Sequence, residues 1–326
     1  MRRAFRLPLV ALVLFVTPLA GQAAPKKSPA PAQAPETSTA PVDPNADLAF
    51  GAFQRGRYLT AFAEATKRVE ANADPKAMTL LGVLYSGGLG VAQDDAKAVE
   101  WYRLAADRGD REAMLSLAMM KLAGRGGPRD RDAAAKLFAS AAKLGQPAAA
   151  YNLGLLYLEG MQFPRDEARA AEMFRIAANA GNREAQYALA AMYKEGRGVQ
   201  KDEKEATRLL GAAALADHLD AQVEYAIALY NGTGIAKNEA AAAQILRRAA
   251  LRGSPIAQNR LARVLATGRG LPADPTEAVK WHIISKAAGA GDPWLDEYVG
   301  KQSQEVRAAA EKAAQPWLFI IANSRT

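Results

Sequence analysis

The side chains that could do covalent or metal chemistry are few. There are two histidines, His218 and His282, and no cysteine. A thiol nucleophile and a thiolate metal site are therefore excluded. The histidines lack the i, i+4 spacing that brings two imidazoles to one metal on a helix. His218 falls in a loop. His282 occupies a place that other segments give to Tyr102, Phe138 or Phe174, so it reads as a packing residue. The carboxylates Glu159, Glu184, Glu195 and Asp220 would approach one another if successive segments stack. Paired carboxylates can exchange protons with a substrate, but on an open surface they are ordinary solvated charge. The runs Gly87-Gly88-Leu89-Gly90, Gly124-Arg125-Gly126-Gly127 and Gly196-Arg197-Gly198 have the composition of phosphate loops. Such loops follow a strand, whereas each run here lies between two helical patterns. Asn231-Gly232-Thr233 fits a glycosylation sequon, yet its glycine is a turn residue present in every copy. The expectation is no catalytic set, no metal site and no cofactor.

The elements that would position these residues repeat. Ala77, Ala113, Ala149, Ala185, Ala221 and Ala257 open six copies of one segment at a period of 36 residues. A fixed period in this range signals stacked supersecondary units. Four positions on stands Leu81, Leu117, Leu153, Leu189, Tyr225 or Leu261, followed by glycine or alanine. Offsets of four and eight share one helical face, which defines a first helix. Glycine closes it in all six copies (Gly88, Gly124, Gly160, Gly196, Gly232, Gly268), as a left-handed helix end requires. Asp94, Asp130, Asp166, Asp202, Asn238 and Asp274 then stand as N-caps of a second helix. Glu205 and Glu277 follow their caps by three and predict capping boxes. The second helix is expected to turn inward Ala98, Ala134, Ala170, Ala206, Ala242 and Ala278, with Trp101, Leu137, Met173, Leu209, Ile245 and Trp281 three residues later. The sixth copy is expected to carry two extra residues in its second helix, displacing the alanine pair to Ala287-Ala288.

The frame A-x-x-x-L-G-x-x-Y-x-x-G-x-G-V…D-x-x-K-A…W-Y-x-x-A-A-x-x-G, nearly complete in residues 77–109, resembles the Sel1-like repeat (SLR), a relative of the tetratricopeptide repeat. The resemblance covers about two-thirds of the chain. It implies an all-α, right-handed α-solenoid of stacked two-helix repeats that acts as an adaptor, binding proteins or envelope polymers on its inner surface. By the tetratricopeptide pattern the inner groove lies at −1, +2, +6, +9 and +10 from each opening alanine. Those places hold Leu115 and Met119, then Tyr151, Leu155, Leu158 and Glu159. They continue with Glu184, Tyr187, Lys194 and Glu195, then Asp220, Tyr230 and Asn231, and finally Asn259. Tyrosines among acids and amides would hold an extended peptide or a sugar chain, since tyrosine offers a large contact area with a polar tip. The same residues would also serve as half-buried groove positions with no ligand. Some secreted members of the family have been linked to cell-wall fragments or β-lactam-like compounds. They are cysteine-rich, and this chain is not.

The flanks speak to address and to capping. Residues 1–23 read as a signal peptide: basic Arg2, Arg3 and Arg6, an apolar core from Leu7 to Leu19, and small residues at a cleavage point after Ala23 or Ala24. An uncleaved anchor is the other reading of this stretch. No cysteine follows the core to carry lipid, so the expectation is a periplasmic or secreted protein with no transmembrane segment after cleavage. Residues 24–45 are a Pro/Ala-rich linker without apolar periodicity. Residues 46–73 resemble a degenerate tetratricopeptide hairpin acting as the N-terminal cap, residues 74–291 hold the six repeats, and residues 292–326 form a C-terminal helical cap. In that last part, Gln302 to Ala314 is expected to be a helix followed by a short apolar run, Trp317 to Ile321. The net charge is +8, and +5 without the three leader arginines. No nucleic-acid module accompanies it, so the partner expected is a protein or peptide, or a cell-wall polymer, and not a nucleic acid.

Overall fold

The computed structural model describes residues 47–323, and the leader and linker segments lie outside the described residues. Those residues form sixteen helices with no strand among them. They divide into two compact units at Asp130/Arg131. The first unit holds α1 (Leu48–Gln54), α2 (Tyr58–Asn72), α3 (Pro75–Gly87), α4 (Asp95–Ala106) and α5 (Arg111–Ala123). The second begins with α6 (Arg131–Lys143), α7 (Pro147–Glu159), α8 (Glu167–Asn179), α9 (Arg183–Glu195), α10 (Glu203–Leu215) and α11 (Leu219–Asn231). It continues with α12 (Glu239–Leu251), α13 (Pro255–Thr267), α14 (Pro275–Ala287), α15 (Pro293–Gly300) and α16 (Gln304–Asn323).

Helix ends follow side-chain chemistry. In the second unit Gln146, Asn182, His218 and Ser254 each accept the amide three residues on, which starts α7, α9, α11 and α13. Asp166, Asp202, Asn238 and Asp274 do the same for α8, α10, α12 and α14. Every first helix ends on its glycine in the left-handed region. The capping boxes do not close as expected. Glu205 turns instead to Arg208 (2.7 Å), and Glu277 to Lys280 (2.6 Å) and the Trp281 indole (3.1 Å). A charged partner on the next turn outcompetes a backbone amide for a carboxylate.

Packing within a hairpin rests on small residues. A Cβ on Gly82 would stand 2.6 Å from the Tyr102 ring, and one on Gly154 2.6 Å from the Phe174 ring. The ring therefore fills the space that the glycine leaves. These rings show that the buried second-helix position lies one residue beyond the expected one. Tyr102, Phe138, Phe174, Leu210, Leu246 and His282 are all buried, whereas of the expected residues Leu209 and Trp281 are buried and Trp101, Leu137, Met173 and Ile245 only half-buried. Between repeats, a Cβ on Gly198, Gly234 or Gly270 would overlap the backbone carbonyl of Glu167, Glu203 or Glu239, at the start of the preceding repeat's second helix.

The C-terminal end corrects two expectations. α14 has thirteen residues like its counterparts, and Ser285, fully buried, takes the alanine's place. The two extra residues lie in the turn after Gly289, so Leu295 of α15, fully buried, stands where a seventh opening alanine would fall. α16 runs unbroken through Pro316 to Asn323 and takes in the apolar run. Trp317 packs edge-on against Trp281 (5.3 Å) and Leu318 and Ile321 join the core, while Phe319 and Ile320 face solvent.

Candidate functional site: the first-helix face of the second unit

α7, α9, α11 and α13 bury the residues at 0, +4 and +7 from the opening alanine, Tyr225 alone being half-buried there. By helical geometry this leaves +2, +6 and +9 on the opposite side and −1, +3 and +10 on a flank, although Val223 at +2 of α11 is buried. Twelve of the fourteen groove residues expected from sequence lie on these four helices, and Leu115 lies on α5. Met119, half-buried on α5, belongs to the first unit.

One polar contact joins α9 to α11. The Tyr187 hydroxyl donates to Glu224 Oε1 at 2.9 Å, and Lys194 Nζ donates to Glu224 Oε2 at 2.9 Å. The Tyr187 ring stacks on His218, with centroids 4.5 Å apart and planes at 25°. His218 is the N-cap of α11: its Nδ1 accepts the Ala221 amide at 3.2 Å, so it is more than a loop residue, and Nδ1 must be unprotonated. Burial lowers the imidazole pKa, against the pull of Asp220 and Glu184. Burial first, then Glu224 and Asp220, push the Tyr187 phenol far above its ordinary range, so it stays a donor. Tyr151 is raised by burial and by Glu184, and packs 5.6 Å from Phe174.

The other expected residues are dispersed. Glu159 pairs with Arg131, and Glu195 with Arg197 at 2.8 Å. The Arg269 guanidinium lies 5.1 Å over the Tyr230 ring. Leu155 is half-buried and Asn231 exposed. Asn259 is spent within the fold, donating at 3.3 Å to Ala290 O and to Asp292 Oδ2. Arg263 grips the same Asp292 with two bonds of 2.5 and 2.8 Å, which holds that carboxyl down at about 2. Of the carboxylates expected to meet, Glu159, Glu184 and Glu195 are each held by an arginine. Among the described residues no cluster of three or more metal-binding side chains occurs.

Sequence reasoning missed Glu224, which sits at +3 on the flank of the face, and Arg263, which sits at +6. One signal was present. Lys194–Glu224, Arg125–Asp95 and Arg269–Glu239 are opposite charges 30 residues apart: the first joins successive first helices, and the other two reach back from the turn after a first helix to the start of the preceding second helix.

Six consecutive segments, 75–110, 111–146, 147–182, 183–218, 219–254 and 255–289, match the model of the Sel1 repeat. The chain belongs to the Sel1 repeat family. The family is typically one of protein–protein interaction scaffolds. A Sel1 repeat protein from Oxalobacter formigenes is similar in structure, with a TM-score of 0.64 and 29% identity over 74% of this chain and 98% of that one. So is c5321, a protective antigen of uropathogenic Escherichia coli with an SLR fold, at a TM-score of 0.57 and 26% identity over 82% of this chain. This Sel1 repeat chain spans 65% of that protein's length. No curated protein matches it. Both structural relatives agree with an all-α stack of two-helix repeats. No described helix is long and apolar enough to cross a membrane.

Proposed function

We propose that this chain is an exported, non-catalytic scaffold of the cell envelope that holds a protein segment along the first-helix face of its second unit. One observation carries the reading. Tyr151 and Tyr187 stand half-buried at the same place, +2, on two successive first helices, and Tyr230 stands half-buried at +9 on the next. Rigid aromatic surface with polar tips, carried on successive first helices, suits an extended chain. The basic, apolar and small-residue pattern of residues 1–23 supports export.

The test is photocrosslinking in living cells from positions 151, 187 and 230, with Lys67 in the first unit as control. One discrete adduct from the tyrosine positions alone is the expected result. The same smear from all four positions would overturn the assignment of the face. Export is tested by sequencing the N-terminus of the protein recovered outside the cytoplasm, which should begin at Ala24 or Pro25. An intact Met1 there would refute cleavage.

A further inference from the structure

This inference rests on the reading of the face as a protein-binding surface, and names the chemistry of what it binds. Tyr187 of α9 stacks on His218, the cap of α11, and Tyr151 stands at the equivalent place on α7, one repeat earlier. Three carboxylates surround them. Glu184 is held by Arg183 at 2.8 Å, and Glu224 by Lys194 at 2.9 Å. Asp220 is exposed and joins no ion pair among the described residues. The local sum is three negative charges against two positive. The titration of the rings shows the same field: Glu184 acts on Tyr151, Glu224 and Asp220 on Tyr187, and Asp220 and Glu184 on His218.

The surface beside the rings is low. α9 presents Ala188 and Ala191 at +3 and +6, both half-buried, where α7 has Asn152 and Leu155 and α11 has Glu224 and Ile227. Aromatic faces within a negative field attract organic cations. An acidic segment laid here would meet Asp220 and Glu224. A wholly apolar one would strip water from Asp220 without giving it a partner. Glu224 accepts two hydrogen bonds and has lone pairs left for a third donor.

We propose that the face of α7, α9 and α11 receives a cationic side chain, arginine or lysine, of an extended partner segment, seated over Ala188 and Ala191 beside Tyr151 and Tyr187 and paired with Asp220 and Glu224. The partner is thus a protein with a basic, unfolded stretch. Specificity comes from the carboxylates, and contact area from the rings.

The test uses the full mature chain and two synthetic probes, acetyl-(Gly-Arg)4-amide and acetyl-(Gly-Glu)4-amide, followed by NMR of the backbone amides. The arginine peptide should shift the amides of Ala188, Ala191 and Glu224, and the glutamate peptide should shift none. Asp220→Asn should weaken the arginine peptide about fivefold and Asp220→Lys at least tenfold. Asp220 is exposed near the start of α11, outside the core, so both variants should fold, as an unchanged amide spectrum elsewhere would show. Equal binding of the two peptides, or unchanged affinity in Asp220→Lys, overturns the proposal. A photocrosslink from position 151 separates the two levels. A discrete partner adduct that persists in Asp220→Lys sustains the scaffold and sinks the cation site. Arginine-peptide binding at the face without any partner adduct in cells sustains the site and sinks the scaffold.

Discussion

α9 and α13 occupy equivalent places in their repeats and put them to opposite use. On α9, Tyr187 and Lys194 reach sideways to Glu224 of α11 and leave Asp220 open to water. On α13, Asn259 and Arg263 close on Asp292, which is buried and caps α15. The Arg263 guanidinium also lies 5.1 Å over Trp294. The same helical face is a surface in the middle of the unit and a fastening at its end. The lesson is that an outward position becomes a ligand position only where no following element claims it. A terminal repeat must fasten its cap, so its polar groups are consumed internally.

The comparison can be broken at its foundation, the stacking that presents α9. Gly198 has φ +64° and sits against the Glu167 carbonyl. Gly198→Ala should cost about 3 kcal/mol in urea unfolding, because strain and overlap combine. Gly181→Ala, at φ +86° in open space, should cost only about 1 kcal/mol. Equal losses would show that close approach plays no part.

At the fastened end, Asp292→Ala removes a cap and the partner of Arg263, and should cost about 2 kcal/mol. The carboxyl is held at about 2, chiefly by the Arg263 hydrogen bonds. Its stabilisation is therefore complete above the unfolded value of about 3.8 and is lost as pH falls from there towards about 2. Asp292→Asn keeps a cap but should flatten the stability profile across that window. A slope as steep as wild type would remove Asp292 from the account.

His218 gives the open end a milder dependence. Its pKa is lowered by burial, and only the neutral ring can cap α11. The unfolded chain thus binds the proton more readily, and stability should fall as pH drops below about 6.5. Asp220 and Glu184 oppose this and Arg183 assists it. Replacing the ring by asparagine, the cap that α9 uses, should remove the loss between pH 7.5 and 5. Identical melting shifts in both proteins would contradict the capping role.

The smallest effect belongs to Tyr187→Phe. Glu224 keeps Lys194 and the ring keeps its stack, so stability should change by less than about 1 kcal/mol. A loss above about 2 kcal/mol would mean that the α9 face is structural, and the contrast with α13 would disappear.

The repeating fold was legible because its requirements are local. A left-handed helix end selects glycine, an amide-rich helix start selects a short polar side chain, and close helix approach selects Gly82 or Gly154 beneath a ring. Each falls within one repeat and recurs at the period. The site was legible only in outline. The resemblance to the tetratricopeptide pattern put Tyr151, Tyr187 and Asp220 in the groove, but it did not indicate that Asn259 was already spent or that Glu224 would take both Tyr187 and Lys194. It also stopped α16 too early, since Pro316 and the apolar run looked like a boundary until Trp317 was seen against Trp281.

The sequence alone thus determined the two-helix unit, its caps and its number of copies, because all of these follow from backbone geometry over short distances. Only the tertiary structure decided which outward groups are satisfied by the next repeat and which face water. That depends on partners about 30 residues away, where a carboxylate takes whichever cation the packing brings within reach.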